Sequence, residues 1–269
     1  MNIDGNTKLV GFFGSTYKTS KMYQLYNIAF EALKLNYVYI PFVVDDLKKA
    51  VDGIKALNIS GVGVTIPYKI AIIPFLDMLD VDAKRIGAVN VVINSNGRLI
   101  GGNTDGAGGL KALKEQTVVK GKKVILLGAG GASRALAFSI KDEGGKLTIL
   151  SRTLSEAEKI AKAVDCRSDS LDKLAHHIKD VDIVINSTSV GMSPNSNESI
   201  VPKTLLRSGL IVFDIVSNPK ETKLLKEAKE AGCKTVYAAR MLLWQAVLKF
   251  KLFTGVNPPI KVMEKALFI

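Results

Sequence analysis

Cysteine and histidine are scarce in this chain. Two cysteines, Cys166 and Cys233, and two histidines, His176 and His177, stand among 269 residues. Isolated cysteines without a CxxC pair exclude a disulfide scaffold and a thiolate zinc site, and they fit a reduced, cytoplasmic setting. No group of His, Cys and acidic residues has metal-ligand spacing, so no metal is expected. The two histidines are adjacent on a polar helical stretch and read as a solvated face rather than a catalytic pair. No apolar run is long enough to span a bilayer. The opening Met1-Asn2-Ile3-Asp4-Gly5 is polar, unlike a signal peptide. No repeat, low-complexity tract or long Pro/Ser-rich linker stands out, so any domains are joined by ordered elements. Acidic residues are fewer than basic ones, 25 against 37, leaving a net charge of +12. That excess raises nucleic-acid binding as a reading. The lysines, however, are interleaved with glutamates along stretches such as 221–234, and no aromatic-studded basic stripe accompanies them. The charge is expected on solvated helix faces, where it favours an anionic small molecule over nucleic acid.

What the chain does have is apolar content, 47%. Its length allows one large domain or two medium ones with ample core. Its most informative stretch is Val124-Ile125-Leu126-Leu127-Gly128-Ala129-Gly130-Gly131-Ala132-Ser133-Arg134. An apolar β-branched run meets a glycine cluster, and an alanine-rich helical pattern follows. That is the order strand, tight turn, helix. Glycines there let the backbone turn sharply and approach a ligand, and the helix N-terminus offers free N–H groups to a phosphate. A second strand, Lys146 to Leu150, ends where the residue that reads a ribose is expected, roughly 20 residues on. A free 2′-hydroxyl would call for Asp or Glu; the chain has Ser151-Arg152-Thr153 instead. Arg152 offers a planar cation to a 2′-phosphate and the flanking hydroxyls offer hydrogen bonds, so the expected cofactor is NADP(H). Arg134, on the first turn after the glycines, is expected to assist, and Glu156, one turn on, works against a phosphate there.

Taken in order, residues 8–13, 37–42 and 61–66 read as strands, with helices beginning near Met22 and at Asp45-Asp46-Leu47. Strand alternating with helix predicts a parallel, doubly wound sheet. Pro67-Tyr68-Lys69 follows the third strand, in the kind of loop where such sheets bind ligands. Gly87-Ala88-Val89-Asn90 precedes a short hairpin turned by Asn94-Ser95-Asn96-Gly97. Asn103-Thr104-Asp105-Gly106 leads into a helix expected from about Ala107, which crosses to the second domain. Strands at 180–185 and 210–216, a helix at 221–231, a short extended piece at 235–237 and a last helix from about Arg240 to Leu252 complete the reading.

Seven blocks, in order and spacing, resemble the shikimate dehydrogenase family nearly end to end. They are Val64-Thr65-Ile66-Pro67-Tyr68-Lys69, Gly87 to Asn90, Asn103 to Gly106, Gly128 to Ala132, Ser151 to Thr153, Asn186 to Met192, and Met241 to Ala246. The resemblance implies a two-domain α/β fold. A substrate domain, 1–106, is completed by C-terminal helices in 240–269, and a Rossmann-type NADP-binding domain spans 107–239. It implies Lys69 and Asp105 as a catalytic proton-transfer pair, and Ser20, Thr65, Asn90 and Gln245 as substrate contacts. For the cofactor it adds Thr188, Ser189 and Met241 to Gly128, Ala129, Gly130, Gly131, Ala132, Ser151, Arg152 and Thr153. The implied activity is interconversion of 3-dehydroshikimate and shikimate. The alternative is a paralogue acting on quinate or another cyclic polyol acid. The implied partner is a small cyclic hydroxy acid, in a monomer or homodimer.

The chain departs from the family pattern at four places. A gap-free alignment puts Met22 at the second serine of a Ser-x-Ser loop that meets the substrate carboxylate. Gly63 replaces an Asn, Ser217 a Tyr, and Arg240 a Gly. Lys18, Lys21 and Arg240 are candidate cations to compensate.

Overall fold

The computed structural model describes residues 3–15 and 21–268, with Lys21 and Phe268 described by their backbone alone. The first elements are β1 (Lys8–Gly14), α1 (Lys21–Ala32), β2 (Tyr37–Val43), α2 (Leu47–Ala56), β3 (Gly61–Val64), α3 (Tyr68–Ala71), β4 (Met78–Leu79), α4 (Val81–Ile86), β5 (Val91–Ser95) and β6 (Arg98–Gly102). Then come α5 (Asp105–Lys114), β7 (Lys123–Leu127), α6 (Gly131–Asp142), β8 (Lys146–Ser151), α7 (Leu154–Val164), β9 (Arg167–Ser170), α8 (Leu174–His177), β10 (Ile183–Asn186), β11 (Ile211–Asp214), α9 (Lys223–Glu230), β12 (Lys234–Tyr237), α10 (Ala238–Thr254) and α11 (Ile260–Phe268). The chain divides into two compact units, residues 1–104 with 245–269, and residues 105–244.

The first unit holds a six-stranded sheet in the order β2-β1-β3-β5-β6-β4. β1 is parallel to β2 and β3, but β5 is antiparallel to both β3 and β6. The strands expected at 8–13, 37–42 and 61–66 thus pair in parallel, and the expected hairpin supplies the antiparallel β5 and β6. Ser95 pairs with Arg98 across a two-residue turn in which Asn96 and Gly97 have φ of 53° and 85°. Positive φ at both positions makes the tight turn whose twist suits a hairpin, and so short a link cannot cross over to a parallel strand. β3 also ends at Val64, short of the expected Ile66. Val62 and Val64 join Ile54, Val92 and Leu99 in the core on one face of the sheet. Gly61 and Gly63 point to the other face, where aromatic rings gather. Tyr26 stacks on Tyr39 at 4.2 Å, and Phe30 lies 5.2 Å from Phe250.

In the second unit all six strands are parallel, in the order β12-β11-β10-β7-β8-β9. Counted along the chain, this is the doubly wound Rossmann-type order, and its direction reverses between β7 and β10. Successive residues of β7 serve opposite faces. Leu126 packs with Leu136 and Ile149, while Ile125 and Leu127 pack with Leu150 and Val212. Alternation of buried residues on both faces is what a sheet covered by helices on each side requires. α5 starts at Asp105, two residues before the expected helix start, so Asp105 heads the helix instead of preceding it. A side chain on Gly106 would meet the Ala135 carbonyl at 2.3 Å, so its absence lets α5 and α6 approach closely. Among the described residues no helix is long and apolar enough to cross a membrane.

Candidate functional site

The second unit carries the glycine turn at the carboxyl end of β7. Gly128 has φ +107°, and a Cβ there would lie 3.0 Å from Thr188 Cγ2, so glycine is required twice over. Above Gly130 and Gly131 a Cβ would meet nothing within 4 Å, and α6 begins at Gly131. Open space over two glycines at a helix N-terminus fits a pyrophosphate, which needs bare N–H groups and no side chains in its way. Ala129 and Ala132, half-buried, flank that opening. The last fingerprint position, Ser133, is fully buried. Its Oγ accepts the Gly130 N–H at 3.1 Å and lies 2.7 Å from Ser187 Oγ, which donates to the Leu127 carbonyl at 2.6 Å. The serine thus ties the turn to the ends of β7 and β10.

β8 delivers Ser151, Arg152 and Thr153. Ser151 is buried and its Oγ accepts the Thr153 N–H at 3.2 Å, while Thr153 starts α7. Arg152 is exposed, and among the described residues no ion pair engages it. Glu156 is paired with Lys159 at 2.6 Å, which reduces the repulsion a phosphate near Arg152 would feel. Arg134 lies over the Phe138 ring, 5.9 Å from its centroid. An unengaged guanidinium and no acid at this strand end suit a 2′-phosphate.

Beyond β10 the loop is held by a buried network. Thr188 donates twice to Asn186 Oδ1, from its N–H at 3.0 Å and its hydroxyl at 2.7 Å. Asn186 Nδ2 donates to Asp214 Oδ1 at 3.0 Å, and Thr222 Oγ1 donates to Asp214 Oδ2 at 2.6 Å. Asn186, Asp214 and Thr222 are all fully buried. Burial raises the Asp214 carboxyl above its ordinary pKa, against the pull of those hydrogen bonds. The network places Thr188 and Ser189 at the strand ends. Asp214 escaped the sequence reading, although an acid closing the apolar run Ile211-Val212-Phe213 was its signal. Met241, on α10, is buried beside Gly109, where a Cβ would lie 3.6 Å from its sulfur.

In the first unit, the ends of β3 and β6 frame a second cluster. Thr65 accepts the Tyr68 N–H on its carbonyl at 2.8 Å, and Lys69 follows on α3. The Lys69 carbonyl accepts the Val89 N–H at 2.8 Å, and the Asn90 carbonyl accepts the Val64 N–H at 2.9 Å. Asn90 is 1% exposed; its Oδ1 accepts the Thr104 N–H at 2.9 Å, and its Nδ2 donates to Thr104 Oγ1 at 3.1 Å. Asn103 Nδ2 donates to the Ala88 carbonyl at 2.9 Å. Asp105 follows Thr104 directly and is 5% exposed, but it belongs to the second unit while Lys69 belongs to the first. Gln245, half-buried on α10, is the first residue of the returning segment of the first unit. Ser20 and Lys18 lie outside the described residues, as does the side chain of Lys21.

Arg240 is not an uncommitted cation. Its Nε donates to Glu115 Oε2 at 2.7 Å, and its Nη2 pairs with Glu115 Oε1. Its expected part in compensating for the lost serine is corrected on that ground. Among the described residues, no group of three or more His, Cys, Asp and Glu could hold a metal ion.

These two clusters, one built on a glycine turn in a doubly wound sheet and one on buried amides beside a lysine, are those of a dinucleotide-dependent α/β enzyme. Three family models match in succession: the shikimate dehydrogenase substrate binding domain over residues 12–92, shikimate/quinate 5-dehydrogenase over 111–236, and the shikimate 5′-dehydrogenase C-terminal domain over 239–268. A shikimate dehydrogenase (NADP(+)) from Carboxydothermus hydrogenoformans is 44% identical over 276 residues, covering 99% of both chains. A crystal structure of a shikimate dehydrogenase in complex with NADP+ has TM-score 0.92 at 41% identity, covering 99% of this chain and 96% of that one. A shikimate 5-dehydrogenase from Listeria monocytogenes, in complex with shikimate and NAD, has TM-score 0.93 at 36% identity, covering 100% and 99%. The chain belongs to the shikimate dehydrogenase family.

Proposed function

We propose that the protein is an NADP(H)-dependent oxidoreductase interconverting 3-dehydroshikimate and shikimate. NADPH, when bound, supplies the hydride that reduces the ring carbonyl. The chain's own residues must bind, orient and move a proton. The N–H groups at the start of α6, beside Gly130 and Gly131, hold the pyrophosphate, and Arg152, with Ser151 and Thr153, holds the 2′-phosphate. As the carbonyl oxygen gains negative charge, the Lys69 ammonium delivers a proton to it, and in the reverse direction the amine takes the proton back. The Asp105 carboxylate keeps that ammonium charged and oriented. Asn90 is fixed by Thr104, and it lines the site together with Thr65 and Gln245. The first unit is thereby the substrate domain and the second the cofactor domain. The sparse cysteines support a cytoplasmic setting.

The observation that carries this reading is 44% identity, over the whole chain, to a protein named shikimate dehydrogenase (NADP(+)). The test is initial-rate reduction of NADP+ with shikimate, with quinate beside it, for the native protein and Lys69→Ala. We expect shikimate turnover that falls about 10²–10⁴-fold in the variant. A native protein inactive on shikimate while binding NADPH overturns the substrate assignment.

A further inference from the structure

The second unit carries a cavity of about 420 Å3 away from its glycine turn. Ala107, Leu110, Lys111, Lys114, Glu115 and Trp244 line it. Positions 107, 110, 111 and 114 recur at helical spacing, so they share one face of α5. Gly108, Gly109 and Ala112 are buried on the other side of the same helix. Trp244, from α10, supplies the remaining wall. A volume of a few hundred Å3 is that of a small-ligand site.

The charges around the cavity are unequal. Glu115 is already spent. Its carboxylate accepts Arg240 Nε and Trp244 Nε1, each at 2.7 Å, and pairs with Arg240 Nη2. Lys114 is paired with Glu143 at 2.6 Å. Lys111 has no carboxylate partner among the described residues, and its ammonium lies over the Trp244 ring, 5.1 Å from the centroid. The rim therefore keeps one cation in excess, while its acid is neutralised by an arginine. The complementary ligand is an anion.

The walls select the rest of the molecule. Ala107, Leu110 and the Trp244 ring are half-buried and apolar, and the one polar atom of the indole is committed to Glu115. Because Glu115 pins that ring, the wall is in place before a ligand arrives, which spares the cost of ordering it. A polyhydroxylated ring would turn hydroxyls onto Ala107 and Leu110, where they find no partner. An aromatic ring loses nothing there. It also offers Lys111 a second π-face beside the anion.

We propose that this cavity is a further ligand site, taking a small aromatic carboxylate with its ring against Leu110 and Trp244 and its carboxylate on the Lys111 ammonium. The ligand differs in kind from the cyclic hydroxy acid of the proposed activity, and the site does not depend on that activity.

Trp244 is the chain's single tryptophan, so its emission reports on this cavity directly. Benzoate is the probe, titrated into the full chain, with benzamide as its uncharged counterpart. We expect a saturable change in emission with benzoate, in the millimolar range, and binding of benzamide about tenfold weaker. Lys111→Gln alters an exposed side chain and should raise the benzoate Kd about tenfold. Ala107→Phe fills the cavity and should abolish the response. Melting temperatures of both variants confirm that they are folded. Excess shikimate should leave the benzoate titration unchanged. A native chain without a saturable response overturns the inference. So does benzamide binding as well as benzoate, or a benzoate Kd unchanged in folded Lys111→Gln. Displacement of benzoate by shikimate assigns the response to the substrate site and also overturns it.

Discussion

Glu115 binds Arg240 and Trp244 with one carboxylate. Arg240 Nε and Trp244 Nε1 each donate to it at 2.7 Å, and Lys111 lies over the Trp244 ring, 5.1 Å from its centroid. Both partners of the ion pair are only about a quarter exposed, 25% and 24%. A charge-assisted fork of this kind locks the start of α10 to the end of α5. Arg240→Ala is therefore expected to cost about 1–3 kcal/mol of stability and to leave the shikimate KM within about twofold. Urea denaturation beside steady-state kinetics checks both. A large rise in KM with stability intact would return Arg240 to the substrate.

Arg152 should discriminate between cofactors. Arg152→Ala removes the guanidinium at the end of β8 and nothing that the fold uses. We expect NADP(H) to bind about 10–100-fold more weakly, the equivalent of one charge-assisted contact, with NAD(H) little changed. Titration of both cofactors against the variant measures the ratio. Equal losses would remove the 2′-phosphate assignment.

Asp214 offers a pH signature. It accepts from Asn186, Thr222 and the Val216 N–H, in full burial. Burial raises its folded pKa above the ordinary aspartate value of 3.8. The folded state therefore holds this proton more tightly than the unfolded chain does. That contribution is complete below about pH 3.8 and is lost as pH rises through the raised folded value. Asp214→Asn cannot titrate, so its stability relative to the native protein should improve as pH rises across that window. Asp214→Ala leaves several donors unpaired and should cost about 2–4 kcal/mol, with weakened NADPH binding through the 187–190 loop. Urea midpoints from pH 4 to 7 test the sign. A relative stability of Asp214→Asn that falls as pH rises would contradict it.

Local pattern carried much of the fold. β7 spans Lys123–Leu127, the strand expected there, because an unbroken apolar run before glycines has few alternatives. The hairpin was legible from Asn-Gly. Polar or very short pieces were not: β9 is Arg-Ser-Asp-Ser, with no alternation to read, and β4 has two residues. α11, which follows two prolines, was expected only among the C-terminal helices in 240–269, with no bounds of its own. Among the site residues, the types of Asn90 and Asn103 were visible, but their bonds to Thr104 and Ala88 span 14 and 15 positions that no local rule connects. Arg240 was misjudged because Glu115 is 125 residues away. Asp214 matters through what surrounds it, and periodicity shows none of that.

The first unit is assembled from both ends of the chain, and this sets an order of events during synthesis. Tyr26 and Phe30 leave the ribosome early, but Phe253 and Phe250, which pack within 6.0 Å and 5.2 Å of them, are made more than 200 residues later. The uninterrupted segment 105–244 can close its own sheet first. The nascent first unit must wait, with Tyr26 and Phe30 bare of these ring partners, so a chain stalled before α10 is the form in which a chaperone would find this surface exposed.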